Sequence, residues 1–599
     1  MAGCRRAIIC SFPGTLPEHG AEASAIFHMT EFLPDKKIAG ILTPVSALRG
    51  EADLGIGDTA ALVEFAGWAA KKGFALVQIL PVNETGSDHS PYNITSSMAY
   101  EPSTIATNPQ WLPELSPGTY DEITGKHDAE SLRAGNINYP AVKALKHDLL
   151  KAAFKVFRSR KADPVRLRAY AKFERNERDW LDPYSLWRAL TDWNGTEVST
   201  SWPQEHKSPA AAQDWLAALP ASEKKEFRDL VRFHSYVQWV AKMQWKTVRA
   251  ACDKFGVALM GDIPVGVSIY SADVWNFPEV FDLARSSGAP PEKVFKSDPF
   301  TEKWGQNWGF PLYDWQAMSH DNFAWWRRRL GSACEVFHFL RVDHALGFFR
   351  IYAFPWRPEE NSRFSDLTTA EAAALTGGRL PGFVEHDDST EEYRERNRIQ
   401  GDMLFRIFLE ETGPHRLIAE DLGEVAPYVR PTLTALEIPG FKIPQWERNP
   451  DGTMIPGRDY QVLSLATFAT HDHPPIHQLW NDWFAECSKP ENREAAFRAM
   501  KELLEFCGSG DLQCPQPFTP EIHHTLIGGL FSCNSWMAVH QITDVFGLKD
   551  RFNIPGAVGD ANWTTRVEGT PAAWDALHKD AVTFVASALK VSGRSTQAE

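Results

Sequence analysis

Eight short apolar runs recur along the chain, separated by stretches in which apolar residues repeat at helical spacing. The runs are 37–43 (KIAGILT), 74–80 (FALVQIL), 257–263 (VALMGDI) and 335–343 (EVFHFLRVD). They continue at 416–420 (RLIAE), 437–443 (EIPGFKI), 461–470 (QVLSLATFAT) and 536–543 (WMAVHQIT). Most are near-continuously apolar rather than alternating, the pattern of parallel strands covered on both faces. Helical periodicity fills gaps between them, as over Thr59–Lys72 and Phe323–Cys334. Eight strands alternating with helices predict an α/β protein, a (β/α)8 TIM barrel.

The spacing is uneven. About 175 residues separate the second and third runs, and the pattern across Ala141–Lys161, Pro164–Trp180 and Ser222–Phe255 is helical. This predicts a mainly helical insertion, 81–256, within a barrel formed by 36–80 and 257–575. A second insertion at about 356–400, rich in Pro, Gly and charge, reads as a loop with one helix. Residues 1–35 read as an N-terminal extension, with Met29 an alternative start. Residues 576–599 read as a C-terminal helix and a fraying tail.

Charge narrows the function. Among 599 residues, 62 are Lys or Arg and 77 are Asp or Glu, a net charge of −15. A phosphate-backbone partner needs a basic footprint, so nucleic acid is not expected. An anionic membrane surface is disfavoured for the same reason, and no apolar run reaches the roughly 18 residues of a membrane span. The eight cysteines are scattered, without a C-x-x-C pair, which reads as reduced thiols and a cytoplasmic setting. No G-x-G-x-x-G, Walker A or EF-hand loop is present, so no cofactor or metal is expected. Tryptophan is in surplus, 22 residues, which suggests that some indoles line a cleft.

Barrel enzymes place their chemistry at the C-terminal ends of strands. Three predicted strands end in carboxylates there: Arg341-Val342-Asp343-His344, Ala419-Glu420-Asp421 and Thr470-His471-Asp472-His473. Each has a structural alternative. Asp343 can pair with Arg341, which shares its face at period two. Glu420-Asp421 can cap a helix. The His-Asp-His stretch lacks the partners of a metal site. Together on three strand ends, the carboxylates fit cleavage of a glycosidic bond. One attacks the anomeric carbon, a protonated one serves the leaving oxygen, and a third supports the oxocarbenium-like transition state.

These residues, with others, carry a family resemblance. The chain resembles the 4-α-glucanotransferases (amylomaltase or disproportionating enzyme), glycoside hydrolase family 77 of the α-amylase clan, from about residue 38 to 570. The motifs are Ile41–Ser46, Leu54–Asp58, Gln78–Pro81, Ser90-Pro91-Tyr92, Gly261–Val265 and Ser271–Trp275. They continue through Trp308–Tyr313, Arg341–His344, Ala419–Gly423, Pro439–Lys442 and Thr470–Asp472, to Asp544-Val545, Asn553, Pro555-Gly556 and Asn562-Trp563. The resemblance implies that Asp343 is the nucleophile, Glu420 rather than Asp421 the general acid/base, and Asp472 the transition-state stabiliser. It implies that Arg341 orients Asp343, and that His344 and His471 contact the sugar. Tyr92, Asp273 and Trp275 would shape the sugar groove. The implied activity is a retaining transfer of α-1,4-glucan segments between maltodextrins and glucose or glucan acceptors. The alternatives are a hydrolase or altered-acceptor transferase of the same clan, or a glycan-binding barrel without catalysis.

The sequence departs from the family pattern at Ala345-Leu346, where Phe-Arg is usual, with Arg350 as a possible substitute for the missing arginine. Phe310 and His473 each stand in place of an Asn, and Glu101-Pro102 stands where Asn-Pro often follows. Transfer beats hydrolysis when the acceptor is held in place and water is excluded. Indoles stacking on glucose would serve both ends, and Trp275, Trp304, Trp308 and Trp315 are the candidates.

Overall fold

Eight parallel strands close into a barrel: β1 (Ile38–Thr43), β2 (Leu76–Ile79), β3 (Ala258–Ile263), β4 (Phe339–Val342), β5 (Leu417–Ala419), β6 (Gly440–Lys442), β7 (Ser464–Ala466) and β8 (Met537–Gln541). Each pairs with its sequence neighbours, and β8 returns to β1. The computed structural model describes residues 32–159, 163–291, 298–555 and 562–597. The first 31 residues, Met29 among them, and Gly556 lie outside these. Every run read as a strand contributes one. The later ones are shorter than their apolar stretches, because their flanking residues leave the ladder to build turns and site loops.

The barrel interior is layered. Ile38, Leu76, Met260, Phe339, Ile418, Phe441, Leu465 and Met537 form one buried cluster inside it. Side chains alternate along a strand, so the next inward positions toward the C-terminal end are Asp262 on β3, Arg341 and Asp343 on and after β4, and Glu420 after β5. Apolar residues thus fill the floor, and charge begins where the mouth begins. Gly440 opens β6 because a Cβ there would fall 2.7 Å from the Asp421 carboxylate.

The first barrel helix, α1 (Thr59–Lys72), is capped by Asp58, which accepts from the amides of Ala60 and Ala61, and stops at Gly73 with φ +93°. Between β2 and β3 the chain is largely helical. It includes α2 (Arg178–Asn194) and the 35-residue α3 (Ala221–Phe255). The C-terminal half of α3 packs on α1 and leads into β3, so it serves as the barrel's own helix at that position. Its N-terminal half joins α2 in a separate aromatic cluster with Trp180, Trp187, Trp202 and Trp275.

Three features depart from the sequence reading. A four-stranded antiparallel sheet orders Gly382–Val384, Ile351–Phe354, Ser286–Ala289 and Gln306–Asn307, beside a small pair, Phe281–Asp282 with Leu312–Tyr313. Strands such as Ser286-Ser287-Gly288-Ala289 carry no apolar alternation, so the pattern does not mark them. The 356–400 segment holds helices Asn361–Phe364 and Thr369–Leu375 and one of these strands, not a loop with one helix. The tail does not fray through its described length. After helix Lys579–Val591, Arg594 is 1 % exposed and donates to the carbonyls of Ile38, Phe531, Cys533, Ser535 and Trp536. Among the described residues, no helix is long and apolar enough to cross a membrane.

Candidate active site

Arg341 is the centre of the mouth. It is 3 % exposed, and its cross-strand neighbour on β3 is Asp262. Its Nη1 donates to both oxygens of Asp262 at 2.7 Å and to Asp343 Oδ1 at 3.0 Å. Its Nη2 lies 3.9 Å from Glu420 Oε2. One guanidinium therefore faces three carboxylates. Burial disfavours its charge, but Asp262, Tyr92, Asp343 and Glu420 outweigh that and hold it firmly protonated.

Asp343 stands at the end of β4, and the Val265 amide donates to its Oδ2 at 3.4 Å. The next residue, His344, has φ +43°. This left-handed turn aims its N–H at Glu420 Oε2, 2.8 Å away. The Trp308 ring meets the His344 imidazole edge-on, with centroids 4.9 Å apart. Burial pushes His344 down to about 4 despite Asp343, so its ring is neutral at pH 7.

Glu420 is driven the other way. Burial is the largest cause; Arg341 opposes it, Asp343 reinforces it, and the net effect raises the carboxyl to about 8. A carboxyl that is protonated at neutral pH can donate to a leaving oxygen. Its neighbour Asp421 faces elsewhere. It accepts from Arg430 Nε at 2.9 Å and the Phe441 amide at 2.7 Å, which ties the loop after β5 to β6.

The third carboxylate, Asp472, follows β7. Burial raises its pKa, but His471, Asn553 and His473 outweigh that and hold it below the ordinary carboxylate range. His471 Nε2 lies 3.2 Å from Asp472 Oδ1, and Asn553 Nδ2 donates to the same oxygen at 2.6 Å. Arg551 secures the Asp472 carbonyl at 2.7 Å. Tyr92 links the two halves of the site. Its hydroxyl donates to Asp262 Oδ2 at 2.7 Å and lies 3.3 Å from His471 Nδ1, and the two rings stack at 4.8 Å.

The structure thus gathers Asp343, Glu420, Asp472, Arg341, His344, His471 and Tyr92 at one mouth. It places the other two expected groove residues elsewhere. Asp273 accepts from the Ser97 amide at 2.7 Å, the Ser97 hydroxyl and Trp325 Nε1. Trp275 is 6 % exposed, with its indole N–H on the His206 carbonyl. Both side chains are committed to packing, which leaves no open face for a sugar ring. Trp304 is buried against Trp356. Arg350 does not stand in for the missing arginine: it pairs with Asp388 at 3.2 Å and Glu424 at 3.3 Å and stacks on Phe383.

The sequence reading gave no role to Asp262, Asn553 or Trp446. Asp262 is a charged residue within an apolar strand, directly across from Arg341, and that was its available signal. Trp446 is 49 % exposed and meets His473 edge-on at 4.9 Å. Its only signal was membership of the indole surplus.

A (β/α)8 barrel with this carboxylate set at its C-terminal mouth defines an enzyme of glycosyl transfer. The chain belongs to the 4-α-glucanotransferase family, glycoside hydrolase family 77, whose model matches residues 43–571. It is 29 % identical over 542 residues to a 4-α-glucanotransferase of Chlamydia pneumoniae, covering 88 % of this chain and 91 % of that one. The Thermus thermophilus 4-α-glucanotransferase is 29 % identical over 413 residues, 68 % of this chain and 72 % of its own. The fold is shared with the amylomaltase of Streptococcus agalactiae solved with acarbose: TM-score 0.72, 22 % identity, 94 % of this chain and 100 % of that one. The Corynebacterium glutamicum amylomaltase gives TM-score 0.73 at 21 % identity, covering 93 % and 75 %.

Proposed function

We propose that this enzyme transfers α-1,4-glucan segments between maltodextrins with retention, through a glucosyl ester on Asp343. The observation that carries the reading is the shared guanidinium: Arg341 touches Asp343 at 3.0 Å and approaches Glu420 at 3.9 Å. Asp343 held by that guanidinium, beside a carboxyl raised to about 8, supports the nucleophile and acid pairing that a retaining mechanism requires.

In the first step an Asp343 oxygen attacks the anomeric carbon. The bond from that carbon to the glycosidic oxygen breaks, and the Glu420 proton passes to that oxygen. In the second step ionised Glu420 takes the proton of an acceptor 4-hydroxyl. The acceptor oxygen bonds to the anomeric carbon and Asp343 is released. Asp472, held ionised, faces the oxocarbenium-like charge of both transition states. His471 and neutral His344 hold sugar hydroxyls, and the Tyr92 ring offers a stacking face.

Trp308 beside His344 and Trp446 beside His473 stand where they can hold acceptor glucose units and displace water. This supports transfer over hydrolysis. The free thiols of Cys252, Cys334, Cys487, Cys507, Cys514 and Cys533 support a cytoplasmic setting. Incubation with maltotriose tests the reaction. Glucose together with longer maltodextrins is the expected product set. Glucose and maltose alone would mean hydrolysis, and an unchanged substrate would mean no catalysis.

A further inference from the structure

Tyr92 is carried on a hairpin that follows β2, and the inserted helices grip that hairpin. Its legs are joined at Asn83 with Tyr100 and at Thr85 with Ile94, and the Glu84 amide donates to the Ala99 carbonyl at 2.9 Å. One leg projects the Glu84 carboxylate away from the barrel, where it is 6 % exposed. Two residues of α2 meet it. Tyr184 donates its hydroxyl to Oε2 at 2.6 Å, and Arg188 Nε donates to Oε1 at 3.0 Å. From α3, Gln238 donates to the Tyr184 hydroxyl at 3.2 Å and to the Tyr100 carbonyl at 2.9 Å, and accepts from the Tyr100 amide at 2.8 Å.

The other leg is fixed to the segment that follows β3. Asp273 accepts from Ser97, and the Ser268 and Ala272 amides donate to Ile94 and Thr95 carbonyls at 2.9 Å. At the tip Ser87 donates to Glu197 and His89 stacks on Tyr139, while the Tyr92 hydroxyl must reach Asp262 and His471 together. A displacement of a fraction of an ångström at the tip would break one of those contacts.

We propose that Glu84, Tyr184 and Arg188 are positioning residues for glucan transfer: the insert acts on catalysis by clamping Glu84 and so holding Tyr92 over the reacting carboxylates. The inference rests on the reading that Tyr92 serves the catalytic centre. The insert is then part of the active-site scaffold. Charge alone does not explain the arrangement, since Arg188 already has Asp192 as a partner on its own helix. The hydroxyl of Tyr184 adds the directional bond that fixes which way Glu84 points.

The test is a double-mutant cycle on full-length protein, read as kcat/KM for maltotriose with Tm measured in parallel. Tyr184→Phe keeps the ring and removes only the hydroxyl. It is expected to lower kcat/KM by about tenfold, short of the roughly hundredfold that a full ~1 Å misplacement can cost. In a Tyr92→Phe background, which already lacks the hydroxyl being positioned, Tyr184→Phe is expected to cost less than about twofold further. Glu84→Gln serves as the second variant and is expected to show the same non-additivity. Equal losses in both backgrounds would mean a merely structural role and overturn the proposal, as would near-wild-type turnover of Tyr184→Phe. Full activity of Tyr92→Phe would sink the reading of Tyr92 and the clamp with it. The transfer reading fails separately, if the wild-type enzyme yields no longer glucans.

Discussion

Asp262 and Arg341 face each other across β3 and β4, and both Asp262 oxygens lie 2.7 Å from one guanidinium nitrogen. That nitrogen also reaches Asp343. Asp262 never needs to touch substrate; it sets where the guanidinium sits, and the guanidinium sets where Asp343 points. Removing one partner of a buried pair costs up to about 3–5 kcal/mol, less here because Asp343 and Glu420 still face Arg341. Asp262→Asn is therefore expected to lower Tm and to reduce kcat by roughly a hundredfold. Calorimetry and maltotriose kinetics check both, and a variant unchanged in each would remove Asp262 from the site.

The rate should depend on pH through Glu420. As the proposed acid it would donate its proton in the first step, so kcat/KM should fall as pH rises through about 8, where the carboxyl ionises. Asp472 is held low and, as the proposed transition-state stabiliser, would work ionised, so it should impose no fall down to mildly acidic pH. Glu420→Gln should abolish the alkaline limb for a donor with a good leaving group. Stability should move in the same window. A carboxyl whose folded pKa lies above its unfolded value, about 4.3, contributes stability below that value and loses it as pH rises toward 8. Glu420→Gln should accordingly raise Tm at pH 8 more than at pH 4.

The indoles divide into two kinds, and burial tells which is which. Trp446 is 49 % exposed at the mouth, so Trp446→Ala should weaken acceptor use up to about tenfold, the worth of a stacking contact, with Tm unchanged. Trp275 is 6 % exposed. Trp275→Ala should cost about 3–5 kcal/mol of stability through the cavity it leaves. Acceptor-dependent kinetics beside melting curves separate the two; exchanged outcomes would reverse the assignment.

Arg594 closes the floor of the barrel, and among the described residues it has no carboxylate partner. Five backbone carbonyls, that of Ile38 at the start of β1 and four in the turn leading from Phe531 to Trp536, share its protons. Arg594→Ala leaves those carbonyls buried and unmet, at about 1–3 kcal/mol for each such group. The variant should melt well below wild type while keeping KM for maltotriose. An unshifted Tm would show the tail to be dispensable.

The barrel was legible because each strand is an apolar run and each run is followed by helical spacing. Asp343, Glu420 and Asp472 stood out as charge at the ends of such runs. Asp262 did not, because it sits inside its run, where only the cross-strand position of Arg341 explains it. The side sheet escaped for a different reason: Ser286–Ala289 is held by backbone pairing with Asn307 and Tyr352, and its side chains carry no pattern. Asp273 and Trp275 belong to a motif that suggested a groove, yet hydrogen bonds tie Asp273 to the Tyr92 hairpin and Trp275 to the insertion. Their partners Ser97 and His206 lie 176 and 69 residues away in sequence, beyond any local reading.

The proposed mechanism has Asp343 covalently glycosylated during turnover. The direct measurement is to incubate Glu420→Gln with a maltosyl fluoride, whose leaving group needs no proton, and to map the modified peptide by mass spectrometry. Without its general base the second step is slow, so the ester should accumulate. A maltosyl mass on the peptide containing Asp343, absent in Glu420→Gln/Asp343→Asn, is the predicted result. Fluoride release with the maltosyl mass on another residue, or with no adduct in either variant, would contradict it.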